Sequence, residues 1–210
     1  GSVGSTTYGQ RVFRQGEPAT DQGKLFLNSE YSFSDAAEFY AFGGYSKTRG
    51  ETAAFYRASN ASNNIPALNP NGYLPLIRGD VEDTSLAVGL RGLLAYDWHY
   101  DVSVNYGKNQ YQIGTETINT SLGLATPRKF DNGTLVNDQK QLSLDLSREF
   151  SLGWLPYPVW VAFGGEYLDQ GYQIKAGDPA SYYQTGSSGL GGFRDSDAGT
   201  STRHNWAQYL

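Results

Sequence analysis

The sequence contains few residues of the kinds that carry out chemistry in enzymes. Its two histidines, His99 and His204, lie far apart, and the chain has no cysteine. Neither histidine belongs to a cluster with the spacing of metal ligands, so we expect no bound metal and no other cofactor. No Ser/His/Asp arrangement has a supporting context either. The sequence therefore predicts a protein that is not an enzyme.

Residues suited to ligand recognition are concentrated in long polar segments. Tyrosine and arginine occur there among Asn, Ser, Pro and Gly, a composition typical of adaptable binding surfaces. The candidate ligand-binding residues are Tyr56, Arg57, Tyr73, Arg78, Tyr182, Tyr183 and Arg194. The alternative is that they belong to exposed loops that pack on one another.

Segments with a period of two must position these loops. In "DWHYDVSVNYG" (97–107), apolar and aromatic residues share one parity and polar residues occupy the other. This alternation indicates a β-strand with two unlike faces. Similar segments predict strands at approximately 24–33, 38–47, 84–94, 98–109, 139–150, 158–169 and 204–210.

The connections between these strands alternate in length. Those at about 34–37, 95–97 and 151–157 are short, and those at about 47–83, 110–138 and 170–203 are long. Compact soluble domains rarely hold even one structureless loop above about 15 residues. Up-and-down membrane barrels, by contrast, have short periplasmic turns and long extracellular loops. The predicted fold class is therefore all-β, with residues 1–210 forming part of one antiparallel transmembrane β-barrel domain.

The positions of the aromatic residues point to a lipid-facing surface. Trp and Tyr prefer the two membrane interfaces, and aliphatic residues prefer the hydrocarbon between them. In the 98–109 strand, Trp98 and Tyr100 would lie at one interface, Val102 and Val104 in hydrocarbon, and Tyr106 at the other. If "AYD" (95–97) is a three-residue hairpin loop, Arg91 lies opposite Asp101, and we expect these two to form a pair facing the lumen.

Composition limits the other function classes. The net charge of −5 argues against nucleic-acid binding. The chain has no apolar stretch long enough for a transmembrane helix. A soluble β-sandwich, such as a carbohydrate-binding module, also alternates and stays open as an alternative.

Several blocks resemble the middle of the barrel of TonB-dependent outer-membrane receptors. They include "AEFYAFGGYSKTRGETAAFYRASNASNNIPALNPNGYLPLI", "TSLAVGLRGLLAYDWHYDVSVNYGKNQY", "NTSLGLATPRKFDNG" and "QLSLDLSREFSLGW". The similarity runs from about residue 8 to the end of the chain. It implies a wall segment of six to seven strands from a 22-stranded barrel, with the family's plug domain and coupling motif absent from these residues.

The resemblance also implies a function. The full-length protein would sit in the outer membrane of a Gram-negative bacterium and import a scarce solute: a ferric siderophore, cobalamin or a carbohydrate. Its partners would be outer-membrane lipid, the plug domain of the same chain, the TonB energy-coupling complex of the inner membrane and the small-molecule ligand. A passive porin or a small complete outer-membrane barrel is the second alternative.

The lipid-facing assignment predicts unequal effects of a charge on the two sides of one strand. Val104→Arg should lower the free energy of unfolding of the membrane-inserted protein by ~2–4 kcal/mol, because it places a charge at mid-depth in the bilayer. Asn105→Arg, on the opposite parity, should be much milder. Urea unfolding from lipid vesicles measures both, and equal effects at the two positions would contradict the assignment.

Overall fold

The computed structural model describes residues 12–14, 18–34, 36–185 and 189–210. Most of the described chain lies in seven β-strands. They are β1 (Ala19–Ser34), β2 (Ala37–Ala53), β3 (Leu76–Leu94), β4 (Trp98–Glu116), β5 (Lys129–Phe150), β6 (Val159–Lys175) and β7 (Gly199–Tyr209). The connections contain the short helix α1 (Pro179–Tyr182) and two 3₁₀ segments, Ala95–Asp97 and Thr120–Ala125. No helix among the described residues is long and apolar enough to cross a bilayer.

The seven strands form one sheet in sequence order, and each strand is antiparallel to the next. This confirms the predicted all-β, up-and-down arrangement. The β1–β2, β3–β4 and β5–β6 connections are short and lie at one end of the sheet, here called the short-turn end. The three longer connections lie at the opposite end, the loop end. A β-sandwich requires two packed sheets, whereas the described strands form a single sheet.

The strands extend further toward the loop end than the sequence predicted. β3 begins at Leu76 rather than at 84, and β5 begins at Lys129 rather than at 139. The added residues do not alternate between apolar and polar, which is why the period-two pattern missed them. Pairing with neighbouring strands supplies their backbone hydrogen bonds instead.

The turn between β3 and β4 sets the register of the central strands. Tyr96 and Asp97 have φ values of 63° and 60°, and these left-handed conformations reverse the chain within three residues. Leu94 then lies opposite Trp98, and Arg91 lies opposite Asp101. The predicted three-residue loop and its register are both confirmed.

The register assigns strand residues to two faces, because successive side chains point to opposite sides of a sheet. The apolar face is the face of Val104, whose cross-strand partners are Val88 and Leu142. The polar face is that of Asn105. The five residues predicted to face lipid share the apolar face because they alternate along β4: Trp98, Tyr100, Val102, Val104 and Tyr106.

The described residues contain little core between layers. Every residue of β1 is exposed, including Leu25 at 71% and Phe26 at 76%. Trp206 in β7 is 77% exposed. The buried apolar side chains are few, and three of them lie near the loop end: Ile118, Phe130 and Val136. The middle of the sheet is thus one layer thick, with both faces open to whatever surrounds it.

Candidate functional site at the loop end

Arg91 and Asp101 lie opposite each other in the pairing of β3 with β4, but their side chains do not form the predicted pair. Arg91 turns toward β2 and donates to Glu38 through Nε at 2.7 Å, with Glu30 of β1 at 3.3 Å from its Nη2. Its guanidinium lies 5.3 Å from the centre of the Tyr40 ring. Asp101 accepts a hydrogen bond from the Tyr40 hydroxyl at 2.7 Å. Arg91 has a neighbouring strand on each side. The carboxylates of Glu38 in β2 and Glu30 in β1 bind it in place of Asp101 in β4.

A ladder of ion pairs continues the apolar face from Tyr45 and Tyr106 toward the loop end. Lys47 pairs with Glu82, and Arg49 donates to Asp80 at 2.8 Å. Both are direct cross-strand pairs between β2 and β3. The hydrogen bond from Lys47 to Glu82 raises the pKa of Lys47. Lys47 therefore keeps its charge at neutral pH, and on this face the strands change from apolar to charged side chains.

Arg78, a predicted ligand-binding residue, belongs to this ladder. It donates to Glu51 at 3.0 Å and to Glu116 at 2.6 Å. Glu51 also pairs with Arg14 at 3.1 Å. The hydrogen bond from Arg78 holds the pKa of Glu51 below its ordinary value. The Arg78 guanidinium is therefore engaged by two carboxylates of its own sheet.

The three long connections pack on one another at the loop end, and we call them together the loop cap. Arg57 and Tyr73 form a backbone bridge in the β2–β3 connection. The Tyr73 hydroxyl lies 3.1 Å from Thr117 Oγ1 in the β4–β5 connection. Arg128 reaches back from that connection to Asn69 Oδ1 at 2.7 Å. These contacts tie the first two long connections together.

Asn119 joins the second long connection to the third. Its side chain is 1% exposed. Its Nδ2 donates to the backbone carbonyls of Ala180 and Tyr183, at 2.8 and 2.7 Å, and its Oδ1 accepts from the backbone N–H of Ser121. A buried amide costs free energy unless its hydrogen bonds are made. The Asn119 amide makes three hydrogen bonds, which hold α1 against the 3₁₀ segment Thr120–Ala125.

A β-bulge aims a second buried amide into the loop cap. Ile113 pairs with Gly133 and Gly114 pairs with Asp131, so Asn132 is an extra residue in β5. Its side chain accepts from Thr115 Oγ1 at 2.9 Å and donates to the Leu190 carbonyl at 2.9 Å. Gly133 has φ +112°, and a Cβ there would lie 2.6 Å from the Lys175 carbonyl oxygen. Only glycine allows this bend.

The predicted ligand-binding residues do not share a single site in the structure. Arg57 and Tyr73 line a cavity of about 110 Å³, with residues of the two other long connections. The Tyr56 hydroxyl donates to the Asn71 carbonyl. The Tyr182 hydroxyl donates to Asp195 at 3.3 Å, and burial raises the Tyr182 pKa. Tyr183 and Arg194 are exposed.

The sequence reasoning missed the residues that hold the loop cap together. Most are asparagines, which were treated as ordinary loop composition. The available signals were the Asp-Asn-Gly run at 131–133, typical of a bend, and an Asn before a short helical segment at 119. Within the described ranges, no group of three or more His, Cys, Asp or Glu side chains is placed to hold a metal ion.

Comparisons with protein-family models, curated proteins and solved structures find no match to this chain.

Removing the Asn119 amide should loosen the loop cap. Asn119→Ala leaves the Ala180 and Tyr183 carbonyls without their donor, and we expect a loss of ~1–3 kcal/mol in local stability. Hydrogen exchange of the β6–β7 connection, read by mass spectrometry, should accelerate. The matched control is Asn60→Ala, at an exposed position of the β2–β3 connection. Equal exchange in both variants would mean that Asn119 does not hold the third connection.

Proposed function

We propose that this chain is a wall segment, with its extracellular loops, of a TonB-dependent receptor that imports a scarce solute through the outer membrane of a Gram-negative bacterium. The observation that carries the proposal is the change along the apolar face. Aromatic side chains bound an aliphatic band, and an ion-pair ladder begins directly beyond one boundary. This order is expected where a strand leaves hydrocarbon and enters water.

The band has the composition of a membrane-facing surface and comes close to its height. Val104, Leu142 and Leu144 lie in its middle and are about half exposed. Tyr106 and Tyr167 lie near the loop end, and Trp98 and Phe150 near the short-turn end. From Trp98 to Tyr106, β4 is ~27 Å long, and a tilt of about 40° would reduce its height to ~20 Å. The apolar band of outer-membrane barrels is ~25 Å tall.

A cation at the short-turn boundary fits the same environment. The Arg148 guanidinium lies 4.8 Å from the Phe150 ring centre and 6.0 Å from that of Trp98. An arginine that shares a face with valine and leucine is costly in hydrocarbon, but it is accommodated at an interface, where its end reaches water. The two rings stabilise its charge while it does so.

The uptake part of the proposal is supported by the sequence blocks that resemble the receptor family and by the build of the loop end. Three long connections interlock there through buried, hydrogen-bonded amides, which gives an ordered surface for a ligand. The remaining partners follow from the proposal: outer-membrane lipid around the apolar face, a plug domain against the polar face, and the TonB complex as the source of energy.

Single cysteines test the membrane assignment, because the sequence has no native thiol. Spin labels would be placed at Val104 (apolar face), Asn105 (polar face) and Gln110, which shares the Val104 parity but lies in the strand extension. We expect oxygen to relax the label at Val104 more than a water-soluble nickel complex does, and the reverse at Gln110. Asn105 should be less accessible to oxygen than Val104. A Val104 label shielded from both reagents would indicate a second protein layer instead.

Energised uptake is tested in cells that express the full-length protein. Radiolabelled ferrichrome, cyanocobalamin and maltotriose serve as probes of the three solute classes. We expect accumulation of one of them to stop when a protonophore dissipates the proton gradient, because coupling to the inner membrane requires that gradient. Accumulation that continues at the same rate would contradict the coupling and favour a passive porin.

A further inference from the structure

Two rows of polar residues cross the polar face of β3 to β7 just below the loop cap. Each row consists of direct cross-strand neighbours. The first row is Asp83, Asn109, Asn137, Tyr172 and Ser201, and the second is Ser85, Gly107, Gln139, Gln170 and Arg203. Adjacent strands lie about 4.8 Å apart, so each row is ~19 Å long.

The two rows line one open groove, which we call the amide groove. Its volume is about 590 Å³, within the range of ~300–1,000 Å³ that is usual for small-molecule sites. Gly107 lies in the floor beside Gln139 and leaves the centre of the groove without a side chain. The groove is therefore long enough and wide enough for a short oligomeric ligand.

Three amides in the groove are free to bind. Asn137, Gln139 and Gln170 have no hydrogen-bonding partner among the described residues, in contrast to the hydrogen-bonded amides of Asn119 and Asn132. Each amide offers two N–H donors and a carbonyl acceptor. A ligand hydroxyl both donates and accepts, so an array of amides matches an array of hydroxyl groups without any charge.

The charges that line the groove cancel. On the polar face Asp83 is balanced by Arg203, while Lys108 and Asp138 direct their side chains to the apolar face. The Asp83 carboxylate already accepts from Asn109 at 2.6 Å. An anionic ligand would need cations in excess. The absence of such an excess in the lining of this groove favours a neutral ligand.

An aromatic ring completes the lining. Tyr172 is 40% exposed and lies beside Asn137 in the same row. Pockets that bind small molecules combine apolar and aromatic surface with a few placed polar groups. A flat ring next to amides suits the apolar C–H face of a pyranose, whose hydroxyl groups radiate around its rim.

We propose that the amide groove binds a neutral oligosaccharide. The inference rests on the proposed function of solute uptake, and it selects the carbohydrate from the solute classes considered there. The amides of β5 and β6 bond to the hydroxyl groups, Tyr172 stacks on one sugar ring, and Gly107 provides the space for the chain.

Gly107 allows a sharp test. A Cβ at this position would lie 3.5 Å from Gln139 Cγ, an ordinary contact, and the backbone has no positive φ. Gly107→Leu should therefore fold normally and fill the groove. Gly50→Leu is the matched control, because it lies on the polar face outside the groove and a Cβ there meets only the Gly79 carbonyl oxygen at 3.8 Å.

Binding is measured by isothermal titration calorimetry on the full-length protein, in a detergent without a sugar headgroup. The probes are maltotriose, cellotriose, xylotriose and triacetylchitotriose, with trialanine as the peptide control. We expect saturable binding of at least one trisaccharide. Gly107→Leu and the Gln139→Ala/Gln170→Ala double variant should each weaken it at least tenfold, whereas Gly50→Leu should stay within twofold of the wild type.

Three results would overturn the inference: no trisaccharide binds, Gly107→Leu leaves binding unchanged, or trialanine binds more tightly than every saccharide. The spin-label experiment separates these results from failure of the membrane proposal. Lipid contact at Val104 without saccharide binding contradicts only the ligand class. Saccharide binding without lipid contact contradicts only the membrane assignment.

Discussion

The constraint on which this structure depends is that its sheet is a single layer. A sheet normally buries at least one face against another layer, yet the central strands expose Leu, Val and Phe on one side and Asn, Gln, Asp and Glu on the other. Backbone pairing alone cannot offset the conformational entropy lost on ordering seven strands. The two faces must therefore meet two different environments, one apolar and one aqueous or polar, and the alternation along each strand divides the side chains between them.

The environment of the apolar face also changes along the strand. Up to Tyr106 the residues of β4 on this face are aromatic or aliphatic, and Lys108 and Gln110 follow. The strand itself continues, because cross-strand ion pairs such as Arg49–Asp80 replace apolar contacts as the side-chain interaction between neighbours. Exposed pairs of this kind are individually weak. The strand extensions are therefore held chiefly by backbone hydrogen bonds, which continue without a break from the apolar part of each strand.

This division explains which parts of the structure could be predicted from the sequence. The period-two pattern located most of the strands, because there one face is apolar and the other is polar. Composition located β2, and the three-residue loop at 95–97 predicted the Arg91–Asp101 register. The period-two pattern missed the strand extensions, where both faces are polar and no alternation remains. It also misassigned the side-chain partner of Arg91, because a central strand has two neighbours and the pattern within one hairpin shows only one of them. The loop cap depends on contacts between distant connections, such as Asn119 with Ala180, which no local pattern encodes.

The amide side chains at this end of the protein fall into two groups: those that hold the loops in place and those that are available to bind a ligand. At the loop end, Asn119 and Asn132 are buried, and their side-chain amides are hydrogen-bonded to other parts of the chain. One level below, Gln139 and Gln170 project from rigid, paired strands into an open groove and keep their hydrogen-bonding groups available. Preorganised donors lose less entropy on binding than donors on mobile loops. The part of the structure best suited to bind a neutral ligand is therefore the sheet next to the loop cap. The loop cap, held together by its hydrogen-bonded amides, keeps the loop end of that sheet in place.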